Sequence, residues 1–180
     1  MQLPTELCLK IARMSDDITA YNLLLAYGFN RDEILSEIGR YRRVFVYNGD
    51  ASIPDDCEFC YIDESISNII PNVFSRHSKL ETVIMSDNIN TIHPATFLKC
   101  TSLKNVKLSN NLHTIGLLGF ASCVSLKEIK IPKSVEHVDT YAFNRCLNLE
   151  VIDIEGSDPE WGGCVFTECY KVPVRFFLIK

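Results

Sequence analysis

The sequence predicts an α+β protein, mostly a solenoid of short parallel strands preceded by a small helical module. Three observations predict this architecture. A phenylalanine recurs every 23 residues, and aliphatic residues six, nine and eleven positions later keep the same period. A fixed period of this length is typical of one short unit stacked on copies of itself. The first 43 residues lack the period and show helical spacing. The recurring phenylalanines are Phe74, Phe97, Phe120, Phe143 and Phe166.

Each repeat is expected to contain one short strand. In the copy over residues 111–133, the segment Leu126-Lys127-Glu128-Ile129-Lys130-Ile131 ends in alternating apolar and charged residues, which is typical of a half-buried strand. Phe120 and Cys123 are three residues apart, which indicates a compact irregular or 3₁₀ segment on the opposite side. Because every copy follows the same path, successive strands should lie parallel. A single copy leaves its apolar faces wet, so neighbouring copies must stack.

Cysteines follow four of the phenylalanines by three residues, at Cys100, Cys123, Cys146 and Cys169. Stacking should place them in one column of buried thiols, which behave as compact hydrophobic groups. Cys57 and Cys60 have a spacing found in metal sites. Both fall on inward positions of the repeat, however, so a packed core is favoured and we expect no metal. Reduced cysteines and the lack of a secretory signal predict a cytoplasmic protein, in the host cytoplasm if the source is viral.

The repeat pattern resembles a known family. The clearest copy runs through Ile129, Ile131, Ser134 and Val135 and continues at the positions Val138, Ala142, Phe143, Cys146 and Leu149. This pattern resembles the BspA-like subclass of leucine-rich repeats, over residues 57–180. The resemblance implies a right-handed leucine-rich-repeat solenoid with a parallel sheet along one side. We therefore expect a solenoid over residues 44–180, with regular repeats over 65–156 and a closing cap over 157–180.

The closing cap departs from the repeat. Trp161 stands where the previous copy has Val138, and Arg175 falls on an inward position. Because burying an unpaired arginine is costly, we expect a slip of one residue that turns Val174 and Phe176 inward.

Residues 1–43 read as three helices followed by a strand. The first helix would carry one apolar stripe, the second would begin at Ser15-Asp16-Asp17 and end at Gly28, and the third would open with a capping box between Asn30 and Glu33. Residues 44–47 are a strand candidate and Asn48-Gly49 a turn. The stripe of the first helix consists of Leu3, Leu7, Ile11 and Met14.

The same residues resemble an F-box. In that family a helical module docks on the Skp-type adaptor of a cullin-RING ubiquitin ligase, and attached leucine-rich repeats usually hold the substrate. The resemblance implies adaptor contacts at Leu3, Pro4, Leu7, Ile11 and Ile18. The spacing between the first two helices is about two residues short of that family's pattern, and the usual aromatic residue after the second helix is missing. The alternative is that the helices only cap the open apolar end of the solenoid.

The outward face of the sheet is the candidate partner-binding surface. Residues eight and ten positions after each phenylalanine should point away from the core and form one strip, because neighbouring strands lie about 4.8 Å apart. Exposed aromatic and aliphatic groups in this strip would suit a protein-binding anchor. Alternatively, the N-terminal helices fold over the first strands and bury them. The strip consists of Phe59, Tyr61, Thr82, Ile84, Asn105, Lys107, Glu128, Lys130, Val151 and Asp153.

Composition and motifs argue against several other functions. The net charge of −5 disfavours nucleic-acid binding, and the apolar runs are too short to cross a membrane. The sequence has no glycine-rich phosphate loop, nucleophile elbow or paired-carboxylate motif. We therefore expect a non-enzymatic interaction protein without a cofactor, either a substrate adaptor for ubiquitin ligation or a plain repeat module. A bacterial surface adhesin is a third possibility, which the missing export signal disfavours.

Overall fold

The structure, a computed structural model, describes residues 17–26, 28–39, 42–49 and 52–173. These ranges contain two helices and ten short strands, joined by turns and loops. The helices are α1 (Asp17–Ala26) and α2 (Arg31–Ile38). The strands are β1 (Val44–Tyr47), β2 (Phe59–Ile62), β3 (Thr82–Met85), β4 (Thr91–Ile92), β5 (Asn105–Lys107), β6 (Thr114–Ile115), β7 (Glu128–Ile131), β8 (His137–Val138), β9 (Val151–Ile154) and β10 (Glu160–Trp161).

The strands lie on two sides of a solenoid, and every pairing is parallel. One side carries β1-β2-β3-β5 and then β7-β9, and the other carries β4-β6-β8-β10. From β2 onward, paired residues are one period apart, as for Val83 with Val106 and Ile115 with Val138. The predicted parallel sheet is confirmed, although its ladder is interrupted between β5 and β7. The handedness of the solenoid and the proposed domain boundaries stay predictions.

The five periodic phenylalanines form one stacked column inside the solenoid. Neighbouring ring centroids are 5.1 to 5.7 Å apart and the ring planes are within 15° of parallel. The first four rings are fully buried, and Phe166 is 4% exposed. The predicted aromatic column is therefore confirmed. Its ends are covered by other rings, Tyr47 on Phe74 at 5.3 Å and Trp161 on Phe166 at 5.4 Å.

The segment around each phenylalanine is a series of turns, the irregular alternative of the two that the sequence predicted. The residues two before and two after each phenylalanine have positive φ, between 55° and 68°. This conformation turns alternate amides toward the next coil, so that Phe97 N donates to Gly119 O at 2.8 Å and Lys99 N donates to Ala121 O at 2.8 Å. These inter-coil hydrogen bonds offset the steric cost of the left-handed region for residues other than glycine.

The four periodic cysteines form the predicted buried column, and each thiol also has a polar contact. Each Sγ donates to the carbonyl oxygen of the phenylalanine 26 residues earlier, at 2.9 to 3.2 Å. All four side chains are fully buried. Burial raises the pKa of Cys100 to about 12 and that of Cys123 well above the ordinary value. His77 takes the cysteine position in the first coil, with its Nε2 3.4 Å from Ile53 O.

The N-terminal elements follow the sequence closely where they are described. Helix α2 opens with the predicted capping box, in which Glu33 N donates to Asn30 Oδ1 at 3.0 Å and Asn30 N donates to Glu33 Oε2 at 2.9 Å. Gly28 follows α1 with a φ of +87°, as expected of a helix C-cap. Strand β1 pairs with β2 and so begins the sheet. The apolar stripe of residues 3–14, the N-cap at 15–16 and the slip at 174–176 lie outside the described residues.

Candidate protein-binding groove

The two helices cover the first half of the sheet's outward face. Four residues of the predicted strip are at most 3% exposed, because the apolar sides of α1 and α2 pack directly on them: Phe59, Tyr61, Thr82 and Ile84. A partner therefore cannot reach these four residues while the helices are in place, and the predicted surface is corrected to the remaining six. The helical residues of this second core are Tyr21, Leu24, Ile34, Leu35 and Ile38.

Polar contacts also hold α2 against the sheet. The Arg31 guanidinium lies 2.7 Å from Asp63 Oδ2 and 2.5 Å from Glu64 Oε2, in the loop after β2. The same guanidinium lies 5.6 Å from the centre of the Tyr61 ring, whose hydroxyl donates to Glu64. Burial is the main reason that the pKa of Tyr61 is raised. Since one arginine contacts three groups of the solenoid, the helices are anchored by both apolar and ionic contacts.

The uncovered half of the sheet forms a groove of about 580 Å³ beside α1. All six remaining residues of the predicted strip line it: Asn105, Lys107, Glu128, Lys130, Val151 and Asp153. They face outward because strand residues alternate in direction, so that Glu128 and Lys130 are exposed while Ile129 and Ile131 are buried. Val151 is the most exposed apolar residue of the groove, at 50%.

The wall of the groove comes from α1, through Ile18, Thr19 and Asn22. Of these, only Ile18 was expected to bind a partner, as an adaptor contact, and that role stays a prediction. Ile18 lies at the edge of the helical core and against the groove. The sequence does indicate that Thr19 and Asn22 share an exposed side of the helix, because they are polar residues three apart. Tyr21 and Leu24 of the same helix are buried against the sheet. The other four F-box positions, at residues 3, 4, 7 and 11, lie outside the described residues.

Two of the three lysines of the groove are in ion pairs, and the third lies over an aromatic ring. Lys130 Nζ lies 2.7 Å from Glu155 Oε1, and that carboxylate raises the pKa of Lys130. Lys104 Nζ lies 3.1 Å from Glu81 Oε1. Lys107 Nζ lies 5.7 Å from the centre of the Tyr21 ring, within the range of a cation–π contact.

Two carboxylates of the groove differ from the lysines. Neither Glu128 nor Asp153 has an ion pair or hydrogen bond with another described residue. In the register of β7 and β9, Glu128 lies opposite Val151, and Lys130 lies opposite Asp153. The groove therefore combines an exposed apolar side chain with two carboxylates that form no ion pair, although Asp153 adds to the raised pKa of Lys130 on the neighbouring strand.

Cys57 and Cys60 are buried, and burial raises the pKa of Cys57 to about 11. Across the described residues, no three histidine, cysteine or acidic side chains are grouped so that they could hold a metal ion. Neither α1 nor α2 has the length and apolar character of a membrane-spanning helix.

Comparison with solved structures supports the solenoid. A leucine-rich repeat protein from Bacteroides ovatus ATCC 8483 superposes with a TM-score of 0.59 at 26% identity, over 72% of this chain and 36% of that one. A leucine-rich repeat protein from Bacteroides capillosus ATCC 29799 is 27% identical, with a TM-score of 0.47 over 62% of this chain and 86% of that one. A leucine rich cell surface protein from Faecalibacterium prausnitzii A2-165 is 21% identical, with a TM-score of 0.45 over 64% of this chain and 32% of that one. The first superposition carries the fold assignment. This chain spans 36% of the B. ovatus protein's length.

Comparison by sequence identifies the family. No curated protein matches the chain. Residues 55–173 match the model of the BspA type leucine rich repeat region in six copies. That match covers most of the chain, and it includes every strand from β2 to β10. The chain therefore belongs to the BspA-type leucine-rich-repeat family.

Proposed function

We propose that this chain is a non-enzymatic protein-binding module and that its partner lies in the groove between α1 and strands β5, β7 and β9. Leucine-rich-repeat domains generally mediate protein–protein interaction. The observation that carries the proposal is the coincidence of the groove with the uncovered half of the outward sheet face, where Val151 is half exposed. Exposed apolar groups rimmed by charge are typical of protein interaction sites.

The helices are part of this proposed site. They cover the first half of the sheet and at the same time provide one wall of the groove, through Ile18, Thr19 and Asn22. This arrangement favours the plain repeat module, in which the helices act as a cap and as a boundary of the binding surface. A partner would contact helix and sheet together, which gives more specificity than a flat strip.

The finer role of substrate adaptor in ubiquitin ligation rests on the F-box resemblance alone. The family match begins at residue 55 and does not include the helices. Retention on an immobilised Skp-type adaptor tests this role, and its loss in a Leu7→Asp, Ile11→Asp variant would support it. If the wild-type chain is not retained, the F-box hypothesis is wrong. Action in the cytoplasm is likewise a proposal from the sequence.

Quantitative affinity purification tests the binding function. The bait is the full chain, compared with Val151→Arg in the groove and Leu147→Arg on a different surface. Both residues are exposed, at 50% and 37%, so neither change should affect folding, and circular dichroism verifies this. We expect a set of proteins that is lost with Val151→Arg and kept with Leu147→Arg. Identical recovery with all three baits would contradict a role for the groove.

A further inference from the structure

The charges of the groove indicate what kind of partner it accepts. Lys104, Lys107 and Lys130 already contact a carboxylate or an aromatic ring. The carboxylates of Glu128 and Asp153 form no ion pair or hydrogen bond with any described residue. Two of the three acids of the groove and one of its three lysines, Lys107, thus have no ion pair, so the unpaired charge on the floor of the groove is on balance negative.

The two carboxylates flank one apolar side chain. Asp153 lies two residues beyond Val151 on β9, and Glu128 lies opposite Val151 on β7. With strands about 4.8 Å apart and about 3.3 Å per residue, the Cα atoms of Glu128 and Asp153 are diagonal neighbours roughly 8 Å apart. Both side chains are exposed and point to the same side as Val151. Lys130, the fourth residue of this square, has its ammonium group paired with Glu155 at 2.7 Å. A single guanidinium or ammonium group placed above Val151 could therefore approach both carboxylates.

We infer that the groove accepts a segment of a protein partner that presents an arginine or lysine next to an apolar side chain. This inference rests on the proposed binding function and makes it more specific. The cation pairs with Glu128 and Asp153, and the apolar side chain contacts Val151 and, across the groove, Ile18. Arginine fits better than lysine, because its planar group has five donors that can serve two carboxylates at once.

The alternative partners fit these charges less well. An acidic segment would bring like charges against Glu128 and Asp153, and two of the three lysines of the groove are already paired with Glu81 and Glu155. Repulsion between like charges in a contact is unfavourable and is a common basis of discrimination. A second copy of this chain would dock in the same groove only if it presented a basic and apolar segment of its own.

Selection from a phage library of random dodecapeptides against the full chain tests the inference. Peptides that bind the wild type and not Val151→Arg are the groove ligands. We expect them to share an arginine or lysine beside an apolar residue. In Glu128→Gln, Asp153→Asn, their affinity should fall roughly tenfold, and added salt should weaken the wild-type interaction. Glu136→Gln, at an exposed residue just before β8 on the other side of the solenoid, should leave the affinity unchanged.

The outcomes separate the inference from the binding function. Groove ligands that are acidic or uncharged, or that bind Glu128→Gln, Asp153→Asn as well as the wild type, would overturn the inference and leave the binding function standing. If no selected peptide depends on Val151, the binding function fails as well. Sedimentation velocity covers the remaining occupant: a dimer that Val151→Arg dissociates would assign the groove to a second copy and overturn the inference.

Discussion

The thiol of Cys123 donates a hydrogen bond to the carbonyl oxygen of Phe97, 3.2 Å away in the preceding coil. The same contact recurs between each successive pair of coils down to Cys169 and Phe143. The periodic cysteine and the periodic phenylalanine are therefore one structural unit, in which the side chain of one coil binds the backbone of the coil before it.

Loss of the Cys123 thiol should destabilise the solenoid moderately. Cys123→Ala removes a buried hydrogen bond and leaves a small cavity, so we expect a loss of about 1–2 kcal/mol in the free energy of unfolding. Cys164 is exposed, and Cys164→Ala should change the free energy by less than about 0.5 kcal/mol. Urea denaturation measures both. Equal effects of the two substitutions would show that a thiol of the column stabilises the fold no more than an exposed thiol does.

Truncation of a central ring should be more costly. Phe120 stacks on Phe97 and Phe143 at 5.1 and 5.4 Å and is fully buried. Phe120→Ala should therefore cost about 3–5 kcal/mol, because it opens a cavity in the middle of the column. Leu147→Ala at an exposed site is the matched control and should be nearly neutral. A cost below about 1 kcal/mol for Phe120→Ala, measured in denaturant, would contradict the continuous core.

Alkaline pH should weaken the fold through Cys100 and Cys123. Burial raises the pKa of Cys100 to about 12 and raises that of Cys123 as well. A group whose pKa is higher in the folded state contributes stability that is complete below its unfolded pKa and is lost as the pH rises toward the folded value. The free energy of unfolding should thus fall above about pH 9, near the ordinary thiol pKa. Replacing Cys100 and Cys123 by alanine should make this fall shallower, and a parallel fall in the variant would assign it to other groups.

Glycine should be tolerated, or favourable, at the positive-φ positions. Lys99 is exposed and has a φ of 61°, where a side chain costs about 1–2 kcal/mol. Lys99→Gly relieves this cost and should raise the free energy of unfolding by up to about 1 kcal/mol after the entropy of glycine is subtracted. Lys79→Gly, at an exposed residue outside the positive-φ set, should lower it by about 0.5–1 kcal/mol. The expectation is wrong if both variants are destabilised equally in thermal or chemical denaturation.

The Arg31 contacts should control how firmly the helices lie on the sheet. In Arg31→Met the ionic contacts to Asp63 and Glu64 are lost, whereas Arg31→Lys keeps a charge. We expect faster amide hydrogen exchange in α2 and in β2 for Arg31→Met, an intermediate rate for Arg31→Lys, and no change in β9. Unchanged exchange in α2 would mean that the apolar contacts of Ile34 and Leu35 hold the helix without the arginine.

The sequence predicted the parts of the fold that the period controls. The ring column, the thiol column and the register of the strands follow from residues that repeat at fixed spacing, because identical units must stack in the same way. The capping box of α2 was equally readable, since Asn30 and Glu33 satisfy each other locally. These features depend on contacts within one repeat or between neighbouring copies.

Other features depend on contacts that the period does not encode. Whether Phe59 and Ile84 face solvent or the helices is decided by the packing of α1 and α2, whose apolar residues could equally have served a partner. The positive-φ positions carried no signal, because residues such as Lys99 and Ser122 are not typical of that conformation. The exposed half of the strip was predicted with the right residues, but its wall from α1 required the structure.

The amides around the phenylalanines that donate toward the following coil contribute to the dipole of the solenoid. Each peptide unit has a dipole of about 3.5 D, and units that point the same way along an axis add together. Phe97, Phe120 and their flanking residues donate toward the following coil, so this row of amides has its positive pole toward the C-terminal coil. Amides at the strand ends, such as those of Glu81 and Gly116, donate toward the preceding coil and oppose it. Acidic residues are concentrated near that pole, at positions 150, 153, 155, 158, 160 and 168. Because the two sets of amides oppose each other, lengthening such a solenoid would add little to its net dipole.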